Sequence, residues 1–219
     1  MATRQLLVQL LAMYKQQCGQ AVALESVGGV DAAKRVQAGE AFDVVILASD
    51  AIDKLMAAGH IQVGSKVDLA MSGVSVAVPA GTSHPDLRSE DAVREAVLAA
   101  RSISYSTGPS GAALVRLFQR WGVAERLQNR IVQAPPGVPV GSLVARGEVE
   151  LGFQQLSELI HLPGIDVVGP LPDEIQILTT FSGAAGTGSQ HATDVRAMLE
   201  FMRSAQTNAA KREQGMQPA

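Results

Sequence analysis

Aromatic residues are scarce in this 219-residue chain: five Phe, two Tyr and one Trp make up 4% of it. A base-stacking platform for single-stranded nucleic acid is therefore not expected. Basic residues are not in excess either. Eighteen Lys and Arg stand against 21 Asp and Glu, for a net charge of −3, which leaves no stripe to neutralise a phosphate backbone. The lone Cys18 excludes an internal disulfide and any CxxC redox or metal site. His60, His84, His161 and His191 lie far apart and match no zinc spacing. No apolar run approaches the roughly 18 residues of a membrane span. Arg4, Gln5, Gln9 and Lys15 interrupt the first hydrophobic face, which does not read as a signal peptide. The GxSxG elbow, the Walker loop and GxGxxG are all missing, so no cofactor and no catalytic motif is expected.

What is present is an alternation of apolar strands and amphipathic helices, with 47% hydrophobic and 18% charged residues. Residues 3–17 place Leu6, Leu7, Leu10, Leu11 and Tyr14 on one helical face. A short strand is expected over 20–26, a glycine turn at 27–31, a helix over 31–41 and a doubly buried strand over 42–49, "FDVVILAS". A helix follows over 50–61. The pattern restarts with a strand at 74–81, a Ser89-capped helix to residue 100, a strand at 102–106 and a helix over 110–123. Helix 139–146, strand 149–159 and strand 164–172 come next. A strand over 175–188 and one long helix over 194–215 close the chain. This alternation predicts an α/β fold with mainly parallel sheets flanked by helices.

Four turns following strands are candidate sites: "SVGGVD" (26–31), "STGPSG" (106–111), "APPGVPVG" (134–141) and "FQQLSE" (153–158). In open α/β sheets ligands bind at the carboxyl ends of strands. Gly, Ser, Thr and Gln without clustered Lys or Arg suit recognition of an anion by neutral donors, at helix N-termini in particular. Each turn taken singly is ordinary punctuation between strand and helix. The Gln154-Gln155 pair is less easily read that way, because buried amides need partners. Glu25, Asp31, Asp50 and Glu158 could serve as a general base and His161 as an acid or base. Asp31 and Asp50 read more simply as helix N-caps, a lone His as a structural residue, and Trp121 with Leu117 and Phe118 as core.

The stretch "ALESVGGVDAAKRVQAGEAFDVVILASDAIDKLMAAGHI" resembles the first lobe of molybdate-type periplasmic solute-binding proteins of ABC transporters. "VSVAVPAGTSHPDLRS" resembles their crossing strand and "ARGEVELGFQQLSEL" the last helix and strand of their second lobe, so the likeness covers nearly the whole chain. The resemblance implies a type II periplasmic-binding-protein fold: two α/β lobes, two crossing strands and a ligand cleft. Lobe one would comprise 1–78 with 173–219, and lobe two 79–172. It implies ligand contacts from Ser26, Gly28, Gly29 and Val30 on one wall, and from Thr107, Ser110, Gly111, Gly137, Val138 and Gln155 on the other. Gln155 falls where molybdate binders carry a tyrosine, and the first turn lacks their hydroxyls. A small carboxylate is therefore expected beside a metal oxyanion as ligand class.

The function so implied is binding of a small anion as the solute-binding component of an ABC-type transporter, with a permease as partner and no nucleic acid. Related proteins of this architecture include an aconitate isomerase, so isomerisation of an unsaturated di- or tricarboxylate is the alternative. Periplasmic localisation follows from the resemblance, and cytoplasmic localisation from the lack of a signal peptide. The family also has a strand before its first helix, whereas this sequence is already on that helix at Thr3. Lobe one is accordingly expected to lack a strand, the slot being filled by another segment or by a second chain in a homodimer, or left loose.

Overall fold

The computed structural model describes residues 2–135 and 137–219. The chain forms two compact units: one runs to Ser72 and resumes at Thr179, the other extends from Gly73 to Leu178. In chain order the elements are α1 (Arg4–Cys18), α2 (Gly29–Gln37), β1 (Val44–Ala48), α3 (Ser49–Ala57) and β2 (Val67–Pro79). There follow α4 (Glu90–Ala99), β3 (Ile103–Tyr105), α5 (Pro109–Arg120), α6 (Ala124–Leu127), α7 (Val140–Ala145), β4 (Leu151–Gln155), α8 (Leu156–Leu159) and β5 (Ile165–Pro170). The last are β6 (Leu178–Ala185), α9 (Ala192–Arg203), α10 (Asn208–Glu213) and β7 (Gln217–Pro218). The α/β class holds, with a mixed rather than mainly parallel ladder: β3 and β4 run parallel, while β1–β6, β2–β4, β2–β5 and β2–β7 are antiparallel.

In the first unit, α1 buries Leu6, Leu7, Leu10 and Tyr14, the face its sequence spacing predicts. It stops at Gly19, whose φ of 76° few other residues adopt and whose N–H bonds the Lys15 carbonyl. These side chains pack with Leu69 of β2 and with Val195, Met198, Leu199 and Met202 of α9. A second cluster joins Val36 of α2, Val45 and Leu47 of β1, and Ile52 and Leu55 of α3. Strand β1 lies against β6, from Val44 opposite Ala185 to Ala48 opposite Phe181.

Two expectations fail here. Residues 20–26 form no strand. Their apolar pattern suits one, but a strand exists only through ladder partners. This stretch is tied down by side chains instead: the Tyr14 hydroxyl donates to Gln20, and Arg35 bridges Glu25 and Glu40. The long helix over 194–215 is broken. Ser204 turns extended at φ −62°, ψ 158°, and the Thr207 hydroxyl bonds the carbonyls of Met202 and Ser204 at 2.7 and 2.9 Å, stabilising a 3-10 turn before α10.

In the second unit, Ser89 caps α4 as expected, accepting from the Ala92 N–H at 3.2 Å. Val93 and Val97 of α4, Ile103 and Tyr105 of β3, Leu114 and Phe118 of α5, and Leu151 and Phe153 of β4 make its main core. Phe118 meets Tyr105 and Phe153 edge-on, with ring centroids 6.2 Å apart in each pair. Trp121 packs against the same core and donates its indole N–H to Glu90. On the other side of β4, Val140, Leu143 and Val144 of α7 form a smaller cluster with Ala134 and Val149.

Candidate functional site

Strand β3 ends at Tyr105, and the turn Ser106–Gly108 leads directly into α5. No side chain caps this twelve-residue helix. Pro109 at its first position has no N–H, so the N–H groups of Ser110 and Gly111 stand outside the helical ladder, which resumes with Ala112 bonding the Gly108 carbonyl. The Ser106 and Ser110 hydroxyls lie 3.4 Å apart, and Ser110 is buried. A side chain on Gly111 would overlap the Ser106 carbonyl oxygen and come within 2.9 Å of its carbon. Glycine is what lets the helix start sit this close to the strand end. Two free donors and the helix dipole make a place for negative charge.

The end of β4 lies beside it. The parallel register sets Ile103 by Leu151 and Tyr105 by Phe153, so Gln155, two residues further along β4, closes that strand at the same end of the sheet at which β3 gives way to the turn before α5. Gln155 shares a strand face with Phe153, whose ring packs on Phe118 of α5. It is only 4% exposed, and its Oε1 has no hydrogen-bond partner. An unpartnered buried acceptor costs free energy unless a donor completes it. Tyr105 and its neighbour Phe118 form an apolar wall at this point, and burial pushes the tyrosine phenol above its usual range.

Gln154 points to the opposite face, toward α7. Its Oε1 accepts the buried Gly141 N–H at 3.2 Å. Glu158 is half-buried. Burial pushes its carboxyl above the ordinary range. Before α7, the Val138 N–H bonds the Pro135 carbonyl at 3.0 Å and Gly137 takes φ 79°, so the turn closes on itself.

Within the second unit Thr107, Ser110 and Gly111 lie at the start of α5, and Gln155 lies at the end of β4, the strand paired with β3. Gly137 and Val138 belong to the separate turn ahead of α7, where the Val138 N–H is already engaged. In the first unit Ser26, Gly28, Gly29 and Val30 lie at the start of α2, a nine-residue helix with Gly28 at its cap position and no side-chain cap. Asp31 and Asp50 are not the N-caps that their positions suggest. Gly28 and Ala48 hold those positions with extended backbone, and both acids fall inside the first turn. His161 is exposed.

Ser104 and the hydrogen bond from Gly141 to Gln154 escaped the sequence. Ser104 is fully buried with an unpartnered hydroxyl, and a serine within an apolar strand carries no signal of its own. Among the described residues no group of His, Cys, Asp and Glu is arranged to hold a metal ion, and no helix is long and apolar enough to cross a membrane.

Comparison with known proteins gives these elements a family. Residues 1–217 match the family of bacterial extracellular solute-binding proteins. The chain is 40% identical over 185 residues to the aconitate isomerase of Pseudomonas sp, covering 84% of this chain and 70% of that protein. The periplasmic molybdate-binding protein of Azotobacter vinelandii superposes with a TM-score of 0.79 at 22% identity, covering 98% of this chain and 95% of that one. A periplasmic binding protein of Agrobacterium tumefaciens in complex with agropinic acid superposes with a TM-score of 0.72 at 12% identity, covering 100% and 80%. At these identities the two structures speak to the fold alone. The chain belongs to the bacterial extracellular solute-binding protein family and has the type II periplasmic-binding-protein fold.

Proposed function

We propose that this chain binds a small carboxylate anion at the start of α5, with Ser110, Gly111 and Gln155 as its principal contacts and Thr107 at the rim. The observation that carries this reading is the uncapped α5 N-terminus, held against Ser106 by Gly111; the buried Gln155 at the end of the neighbouring strand would donate its NH2 to the anion, and its unpartnered Oε1 would accept from a ligand hydroxyl or protonated carboxyl. Free N–H groups at a helix start favour an anion, and a neutral lining holds it by hydrogen bonding. The turn 26–30 at α2 offers donors of the same kind in the first unit. Family members are typically periplasmic and work with ABC transporters, and the same place and partner are proposed here.

A second reading is favoured by one specific observation, the 40% identity to a protein named aconitate isomerase. On that reading the bound anion is an unsaturated tricarboxylate, and the chain converts it between isomers.

The test of binding is a thermal-shift and calorimetry panel of molybdate, sulfate, phosphate, citrate, and cis- and trans-aconitate. Ligand at a hundred times its Kd should stabilise the fold by about 2.7 kcal/mol. A carboxylate response that is lost when Gln155 is replaced supports the site. A response to molybdate alone overturns the carboxylate reading.

A further inference from the structure

Backbone donors at a helix start accept almost any carboxylate, and the amide that closes β4 is more selective. Strand alternation sends Gln154 and Gln155 to opposite faces of the sheet. The oxygen of Gln154 is already engaged by the Gly141 N–H on the α7 face. Gln155 emerges on the other face, the one that Phe153 occupies two residues earlier. Phe153 and Tyr105, opposite each other in the parallel register, both pack on Phe118 of α5, and the Tyr105 ring lies 3.2 Å from where a side chain on Gly111 would start. Gln155 therefore comes out on the face that α5 covers, at the end of the sheet where β3 leads into that helix. There its side chain is buried and its Oε1 has no partner.

An amide oxygen accepts hydrogen bonds and repels carboxylate oxygens, so whatever completes it brings a donor. Three groups on a small organic anion qualify. An ammonium would carry its charge into a buried place among Tyr105, Ser106, Thr107 and Ser110, none of which offers an opposite charge. A carboxyl with an ordinary pKa of roughly 4 is protonated only about once in a thousand at pH 7. A hydroxyl arrives with its proton and without a charge. We propose that the ligand is a hydroxycarboxylate, its carboxylate on the Ser110 and Gly111 N–H groups and its hydroxyl donating to Oε1 of Gln155, which makes Gln155 the residue that sets specificity. This rests on the carboxylate-binding reading above and not on the isomerase one. The two sets of contacts select differently. The N–H groups take hydroxylated and plain carboxylates alike, whereas a buried acceptor left unmet penalises every ligand that lacks the donor.

The experiment is calorimetry of the full chain at pH 7 with ligand pairs that differ by the hydroxyl alone: malate against succinate, and citrate against tricarballylate. Aspartate is added as the ammonium counterpart of malate. Wild type should bind the hydroxylated member of each pair about 10- to 100-fold more tightly, and malate more tightly than aspartate. Gln155→Met keeps the length of the side chain without the amide oxygen. It should weaken binding of all these acids and bring the ratio within each pair below threefold. Gln155→Leu serves if Gln155→Met does not fold. Equal affinities within both pairs in wild type overturn the hydroxyl assignment and leave the carboxylate reading standing. Aspartate bound more tightly than malate overturns it too, because the donor is then an ammonium. A wild-type ratio that survives in Gln155→Met removes Gln155 as its source. If none of these acids binds, the carboxylate reading fails and takes the inference with it.

Discussion

Replacing Gly111 with alanine tests the geometry of the α5 start directly. Gly111 is inside the helix with no left-handed requirement, so conformational freedom is not at issue. The obstacle is the Ser106 peptide, with its oxygen overlapping the new methyl group and its carbon 2.9 Å away, and the Tyr105 ring at 3.2 Å adds to it. Ordinary contact starts at 3.4 Å. Because a strand end cannot yield as a flexible side chain does, the first turn of α5 has to retreat. Overpacking of this kind costs about 1–3 kcal/mol, and a backbone obstacle puts Gly111→Ala near the top of that range. About 3 kcal/mol corresponds to a fall in Tm of roughly 6–12 °C for a chain of this size. The control is Gly108→Ala, where φ is −79° and the nearest atom is the Ser106 hydroxyl at 3.7 Å. Its cost should be about 0.5–1 kcal/mol, from the weaker cap. Urea unfolding gives both values, and calorimetry with citrate or aconitate should show Gly111→Ala losing affinity as well. A Gly111→Ala protein within 1 kcal/mol of wild type would mean that α5 does not begin against Ser106, and the proposed anion site would lose its foundation.

Gln155→Leu should leave the unliganded protein as stable as wild type, or about 1 kcal/mol more so, by removing an unpartnered buried acceptor. It should weaken carboxylate binding about tenfold. A large loss of stability would make Gln155 a structural residue. Lys211 is fully buried, and its Nζ lies 3.4 Å from the Arg203 carbonyl, with no carboxylate in ion-pair range among the described residues. Burial lowers its pKa from the usual 10.5, so the unfolded chain holds the proton more tightly, and wild-type stability should climb as pH rises toward that value. Lys211→Met should be more stable by about 1 kcal/mol or more at neutral pH, with the difference shrinking in alkali. Urea midpoints across pH for both proteins check the sign, and a difference that does not change with pH would refute it.

Much of the fold was legible because punctuation in the sequence is physical. Gly39, Gly59 and Gly147 all take positive φ where they close helices, and Ser89 caps α4 by the bond its position implies. What was not legible depends on partners distant in sequence. Residues 20–26 carry a strand's composition, and only the absence of a neighbouring ladder keeps them from being one. The break at Ser204 is made by a Thr207 hydroxyl that composition alone cannot aim. Similarly, "FQQLSE" announces two amides, but not that Gln154 would be fixed by α7 while the Oε1 of Gln155, on the opposite face, stayed unpartnered. That division follows from strand alternation once the register is known.

Helix α7 spans six residues, well short of what holds a helix together in isolation. It persists because Gly152 has no side chain: a Cβ there would come within 2.5 Å of Val144 and 3.0 Å of Val140, so both valines seat directly on β4. Gln154 then secures its first turn from the same strand. In hydrogen-exchange terms α7 and β4 are one cooperative opening unit, and their amides should exchange together rather than helix first. Whatever tugs on Gln154 is therefore felt as a change in the protection of α7, the helix whose first turn it secures.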